Sequence, residues 1–221
     1  MHGISRRDTI DVIYFDLGRV LVHFDVDRMC RQMAAVTEVT PERVHAVLFE
    51  QGLQKEYELG RINEEEFFDL FCRQIGKRPP RDRLIQAAND IFWLNLANLP
   101  IVTQLQLAGL PLGILSNTCE THWRHCYEKY AILEGFRFHA LSCRIGAMKP
   151  DPVVYRAAAE MAATPPERVF FVDDIASHVE GARQVGFHAF HYAVDPTGKN
   201  QWEATRGLAR ALRGLGIRFN H

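Results

Sequence analysis

The sequence has no long apolar run. Nowhere do about 18 apolar residues follow one another, the length a membrane-spanning helix needs, so no span is expected. The polar start, MHGISRRDT, has no apolar signal core, and together with the missing span it points to a cytoplasmic location. Neither sign of charge is in excess: 26 Lys plus Arg stand against 27 Asp plus Glu in 221 residues. That balance argues against nucleic acid or an anionic membrane as the main partner, and it means that any anion site is local. Cysteine pairing is missing too. Cys30, Cys72, Cys119, Cys126 and Cys143 are odd in number and form neither a CxxC pair nor a zinc-type cluster with histidine. Free buried thiols in a reducing compartment are expected. There is no internal repeat and no low-complexity stretch.

What is present is a chain 47% hydrophobic, enough for a core in one or two domains. Val12-Ile13-Tyr14-Phe15 is a short apolar run ended by Asp16-Leu17-Gly18, the pattern of a strand buried on both faces. The run from Leu110 to Leu115 ends in Ser116-Asn117, and that from Val169 to Val172 ends in Asp173-Asp174. Phe187 to Tyr192 follows, and Phe138 to Ser142 is a weaker fifth strand. Helical patterns separate these runs at 99–108, 120–130, 152–163, 176–185 and 202–212, with Pro152 suited to a first helical position and Gly186 to a cap. The alternation predicts an α/β fold: a doubly wound parallel sheet covered on both faces by helices.

Residues 25–98 break the rhythm. Thr40-Pro41 reads as a helix start, and Asn63 with Glu66 as a capping box. Phe67, Phe68, Leu70, Phe71 and Ile75 recur at helical spacing, and Lys77 to Arg81 is a break between helices. With no strand-like run here, an all-helical insert is expected. The division is then a core of residues 1–22 and 99–221 and an insert of 23–98.

Ligands of open α/β sheets bind beyond the carboxyl ends of the strands. Three of these strands end in polar groups, at Asp16, Ser116-Asn117 and Asp173-Asp174. Adjacent carboxylates such as the last pair repel unless a cation lies near.

The strings IYFDLGRVLV, ILSNT, GAMKPDPVVY and VFFVDDIASHVEGARQVGF, in that order, resemble the four motifs of the haloacid-dehalogenase superfamily. The insert after the first motif resembles the helical cap of the first type on that family's Rossmann-like core. KPDPVVY and YELGRINEEEFF are most similar to the branch containing the phosphatase domain of soluble epoxide hydrolase and bacterial sugar-phosphate phosphatases. The resemblance implies a Mg²⁺-dependent phosphatase acting, as monomer or homodimer, on a small phosphorylated metabolite such as a sugar phosphate. Asp16 matches the nucleophile, which would carry the phosphoryl group as an aspartyl-phosphate. Asp16, the Gly18 carbonyl, Asp174 and after it Asp173 match the metal site, and their oxygens suit Mg²⁺. Ser116 and the Asn117 N–H match the groups that hydrogen-bond the phosphoryl, and Lys149 matches the lysine that neutralises its charge.

The pattern departs at one place. The family's phosphatases usually carry a second Asp two residues after the nucleophile, as acid and base, and here Gly18 stands there. A glycine offers a carbonyl but no proton. His23, Asp25 and Glu56 are candidate substitutes. Arg19 is a candidate contact to substrate phosphate, and Arg61 a candidate for substrate choice from the cap. The runner-up activity is carbon–halogen hydrolysis on the same fold. It needs no metal, so the Asp173-Asp174 pair argues against it, as does the lack of the aromatic residue such enzymes place near Gly18. A phosphometabolite-binding module without catalysis is the third reading. His139, His188 and His191 read as structural, His122 and His125 as a polar helix face, and His178 as either structural or at the site mouth.

Overall fold

The computed structural model describes residues 10–195 and 198–217. Arg6 and Arg7, in the polar start of the chain, lie outside them. The strands are β1 (Val12–Phe15), β2 (Val22–Phe24), β3 (Phe92–Leu94), β4 (Leu112–Ser116), β5 (Phe138–Leu141), β6 (Val169–Asp173) and β7 (His188–His191). Helices α1 (Val26–Thr37), α2 (Pro41–His45), α3 (Leu53–Glu58), α4 (Glu64–Ile75) and α5 (Arg81–Asn89) precede β3. After it come α6 (Leu99–Leu107), α7 (Glu120–Lys129), α8 (Ser142–Ile145), α9 (Pro152–Met161), α10 (Ala176–Gln184) and α11 (Gln201–Gly214). None of the described helices is long and apolar enough to cross a membrane.

Five strands form one parallel sheet in the order β5-β4-β1-β6-β7. Alternate side chains of a strand point to opposite faces, so each inner strand feeds two cores. From β1, Ile13 and Phe15 join Ile101 and Leu105 of α6, Trp123 of α7 and Leu208 of α11. Val12 and Tyr14 turn the other way, to Val154, Tyr155 and Ala158 of α9 and Ala182 of α10. Every residue of β1, β4 and β6 is buried, which is why their sequences run apolar without alternation. The chain leaves β1 toward β4 and β5 on one side, then crosses to β6 and β7 on the other. The carboxyl ends of β1, β4 and β6 therefore lie side by side.

Helices α1 to α5 gather around a separate apolar cluster that includes Met33, Leu48, Tyr57, Phe67, Phe71 and Leu84. The local signals behave as the sequence reading expects. Thr40 caps α2, and Asn63 and Glu66 form a full capping box on α4. The expectation of an all-helical insert is corrected at both of its ends, where His23 and Phe24, and then Phe92–Leu94, are strand. Phe92–Leu94 is a strand and pairs antiparallel with Val22–Phe24, in the register Val22↔Leu94, His23↔Trp93, Phe24↔Phe92. This ribbon lies where the chain leaves and re-enters the sheet. Asn95 and Asn98, both buried, fasten it: Asn95 Nδ2 donates to the Arg19 and Val20 carbonyls at 3.0 and 3.2 Å, and Asn98 Nδ2 to Val20 at 2.8 Å.

Gly113 on β4 faces the ring of Tyr14 on β1. A Cβ there would lie 2.3 Å from Tyr14 Cε1, and the ring cannot swing away because its hydroxyl donates to the Ala158 carbonyl at 2.7 Å. Gly113→Ala is expected to destabilise the protein by about 1–3 kcal/mol, as overpacking of a closed core does. Urea denaturation checks this, with a lower midpoint at unchanged slope. Tyr14→Phe, which loses one buried hydrogen bond, is expected to cost about 0.5–1.5 kcal/mol.

Candidate active site

At the centre of the three strand ends lies a buried ammonium. Lys149 Nζ donates to Asp16 Oδ1 at 2.9 Å, to Asp173 Oδ2 at 2.5 Å and to the Leu115 carbonyl at 3.0 Å. These are three acceptors for three N–H bonds, one from each of β1, β4 and β6 or the residue just after them. Burial disfavours the charge on Lys149, but the two carboxylates outweigh it and hold its pKa above the usual lysine value. The loop carrying Lys149 is tied to β4 by an amide clamp. Lys149 N donates to Asn117 Oδ1 at 2.8 Å, and Asn117 Nδ2 donates to the Lys149 carbonyl at 3.1 Å. The Asn117 side chain thus positions Lys149, a use that the sequence reading, concerned with its N–H, did not foresee.

The carboxylates differ in their surroundings. Asp16 is buried, which pushes its carboxyl up, while Lys149 and a hydrogen bond from Ser116 pull it down. Asp173 is fully enclosed. Burial works against its charge, yet Lys149 and His178 hold its carboxyl at about 2. Its Oδ1 accepts from Ile175 N at 2.8 Å and faces His178 Nδ1 at 3.1 Å. His178 therefore backs the carboxylate from inside rather than lining a mouth. Asp174 has the opposite balance. Burial, Asp16 and Asp173 push its carboxyl up to about 7, and the Arg19 guanidinium, 3.9 Å away, relieves this only in part.

Asp16, Asp173 and Asp174 each offer an oxygen within 4.8 Å of the others. Three carboxylates against one ammonium and one distant guanidinium leave room for a cation, and an all-oxygen donor set suits a hard ion such as Mg²⁺. Both oxygens of Asp173 are engaged, so Asp16 and Asp174 are the better donors. The Gly18 carbonyl accepts from Val20 N at 2.6 Å and keeps a second lone pair.

Beside the carboxylates lies a cavity of about 150 Å³. Gly18, Ser116, Asn117 and Thr118 form its floor. Gln54 and Glu58 from α3 and His122 from α7 face it, and the rest of its wall is apolar, including Phe24, Met29, Phe49 and Phe92. A Cβ on Gly18 would lie 3.0 Å from the Phe24 ring, so this wall sits where a side chain at position 18 would go.

The other sequence candidates stand elsewhere. Asp25 caps α1, its carboxylate accepting from Arg28 N at 2.8 Å. His23 Nε2 lies 3.0 Å from Gln201 Oε1 and its ring packs on Trp93. Glu56 pairs with Arg61 at 2.9 Å on the surface. Arg61 is thus not brought to the cavity: after α3 the chain turns through Gly60, at φ +67°, and carries Arg61 outward. Arg19, also at positive φ (56°), lies beside Asp174 and over the Phe24 ring rather than in the cavity wall. The cysteines are free, and burial pushes the Cys119 thiol up to about 12, which leaves it inert.

Replacing Lys149 by Met leaves Asp16 and Asp173 buried without their cation. The expected loss is about 3–5 kcal/mol of stability near neutral pH. The cost exists only while the carboxylates are ionised, so it shrinks as pH falls and they take up protons. Urea denaturation of both proteins at pH 7.5 and pH 5 checks this; a gap that widened on acidification would refute the assignment of Lys149 as their counter-charge.

Residues 10–186 match the haloacid dehalogenase-like hydrolase family. A phosphatase of Mycobacterium tuberculosis is 29% identical over 215 residues, covering 94% of this chain and 96% of its own. A glyceraldehyde 3-phosphate phosphatase of Methanopyrus kandleri is 27% identical over 188 residues, 75% of this chain and 80% of its own. Among solved structures, a family enzyme of Bacteroides thetaiotaomicron in complex with magnesium and inorganic phosphate superposes with a TM-score of 0.73 at 24% identity, over 82% of this chain and 93% of that one. With the parallel sheet and the polar strand ends in place, the chain belongs to the haloacid dehalogenase-like hydrolases.

Proposed function

We propose that this hydrolase is a Mg²⁺-dependent phosphatase of a small phosphomonoester, with Asp16 as the nucleophile. The observation that carries the reading is the third carboxylate. Lys149 offsets only part of the charge of Asp16 and Asp173, and Asp174, pushed up to about 7, adds a carboxyl that a divalent cation would complete. Carbon–halogen hydrolysis by an aspartate has no use for such a cluster.

The roles follow from position. Asp16, at the end of β1, attacks phosphorus, and Lys149 holds its second partner, Asp173, in place while offsetting negative charge. Ser116 and the N–H of Asn117, on the cavity floor, receive the phosphoryl oxygens. Magnesium, when bound by Asp16, Asp174 and the Gly18 carbonyl, would supply the charge that lets a carboxylate approach a phosphate dianion. Arg19, beside Asp174, is suited to a phosphate oxygen. The helical unit of 23–98 covers the site as a cap and shapes the space for the organic group. A cavity of this volume takes a group about the size of benzene. Its mostly apolar wall would leave the hydroxyls of a sugar without partners, so it favours a compact, largely apolar group over a polyhydroxyl one.

Phosphate release from small phosphomonoesters is expected to require Mg²⁺ and to be lost in Asp16→Asn. Halide release that survives EDTA would sink the proposal in favour of dehalogenation. Mg²⁺-dependent binding of phosphate esters with no turnover would favour a binding module.

Protons compete with the metal at Asp174. Above about 7 its carboxyl is ionised and free to bind, and below it the proton must first leave. Mg²⁺ is therefore expected to raise the melting temperature more at pH 8 than at pH 6, with a proton released on binding near neutral pH. Equal shifts at both pH values would remove Asp174 from the metal site.

A further inference from the structure

Gly18 leaves the reaction without its usual proton carrier, and the sequence candidates for a substitute, Asp25, His23 and Glu56, are engaged elsewhere. One carboxyl group does face the cavity. Glu58, the last residue of α3, lines it together with Gly18, Ser116 and Thr118. Its backbone is fixed to the floor: Ser142 Oγ lies 2.6 Å from the Glu58 carbonyl and 3.1 Å from that of Thr118, two residues beyond Ser116. Gln54 Nε2 donates to Glu58 Oε1 at 2.9 Å, which orients the carboxyl and leaves the other oxygen to carry a proton. The titratable groups that it meets are His122 and Cys119, both from the β4–α7 side. Burial keeps the thiol protonated and lowers the His122 pKa, and the pull of that imidazole on the Glu58 carboxyl is smaller than the push of burial. Burial pushes the Glu58 carboxyl above the ordinary glutamate value, with Gln54 and His122 opposing it in part, and a raised pKa is the direction that lets a carboxyl both give and take a proton.

We propose that Glu58 is the proton carrier of this site, doing from the cap what residue 18 does not. The inference rests on the phosphatase reading given above. In the first half-reaction the Asp16 carboxylate forms a bond to phosphorus as the ester P–O bond breaks. The Glu58 proton passes to the departing oxygen, releasing an alcohol and leaving Glu58 ionised. In the second, water attacks phosphorus, its proton returns to Glu58, and the bond to Asp16 breaks, freeing inorganic phosphate. Atoms and charge balance over the cycle with water as the sole co-reactant.

The two halves are separable with two substrates. n-Butyl phosphate needs a proton on its leaving oxygen, whereas p-nitrophenyl phosphate releases a stable phenolate without one. The ratio kcat/KM covers the steps up to departure of the leaving group. Glu58→Gln is expected to lower kcat/KM for butyl phosphate by about 10²–10⁴-fold while changing that for p-nitrophenyl phosphate only several-fold. With p-nitrophenyl phosphate the variant is also expected to release one equivalent of phenolate in a burst, then slow as the aspartyl-phosphate waits for an unactivated water. Retained kcat/KM on that substrate certifies the fold. Glu56→Gln, which breaks only the surface pair with Arg61, is expected to leave both substrates unaffected. Equal losses on the two substrates, or no loss on butyl phosphate, would overturn the role of Glu58. Failure of the wild-type enzyme to release phosphate from either substrate in the presence of Mg²⁺ would instead overturn the phosphatase reading.

Discussion

A buried ammonium constrains this molecule more than any other group. Lys149 has no exposed side-chain surface, and a lone charge in that position would cost several kcal/mol. It is tolerated because three acceptors converge on it, from the ends of β1, β4 and β6. Neighbouring strands lie about 4.8 Å apart, so a lysine over the central strand can reach both neighbours only if all three end at the same level. The strand order β4-β1-β6 provides this, and the amide of Asn117 holds the lysine's own loop at the right height. The sheet topology, the clamp and the carboxylate cluster are thus one arrangement.

Above this charged floor the chemistry changes character. Helices α1 to α5 bring a mostly apolar wall whose polar groups are Gln54 and Glu58, and His122 joins them from α7. Such a wall excludes water from the space beside Asp16 and strengthens the electrostatics beneath it. These helices are joined to the sheet through the short β2–β3 ribbon. Asn95 and Asn98 hold that ribbon to the Arg19–Val20 turn, the same turn that follows Asp16. The loop bearing Gly18 is therefore stiffened by residues more than seventy positions away.

Much of this was readable in the sequence, and the reasons are local. Asp16, Ser116 and Asp173 stand out because short apolar runs stop abruptly at polar residues. The capping box at Asn63 is a pattern of near neighbours and was equally plain. Lys149 drew notice only through its motif, since nothing local distinguishes a buried lysine from a solvated one. The β2–β3 ribbon escaped because three-residue strands carry too little periodicity, and Phe92 and Trp93 read equally well as helix core. Glu58 escaped for a geometric reason. It lies two residues from Glu56, which is about 200° around a helix. One of the two faces the cavity and the other Arg61, and which is which depends on how α3 docks.

The contact between Gly18 and Phe24 bears on what position 18 can hold. A side chain at position 18 would press on the Phe24 ring from 3.0 Å. An aspartate there would need the Phe24 ring to give by a few tenths of an ångström, and that ring also forms part of the apolar wall and lies under the Arg19 guanidinium. Position 18, the cavity wall and the seat of Arg19 are therefore coupled through one ring.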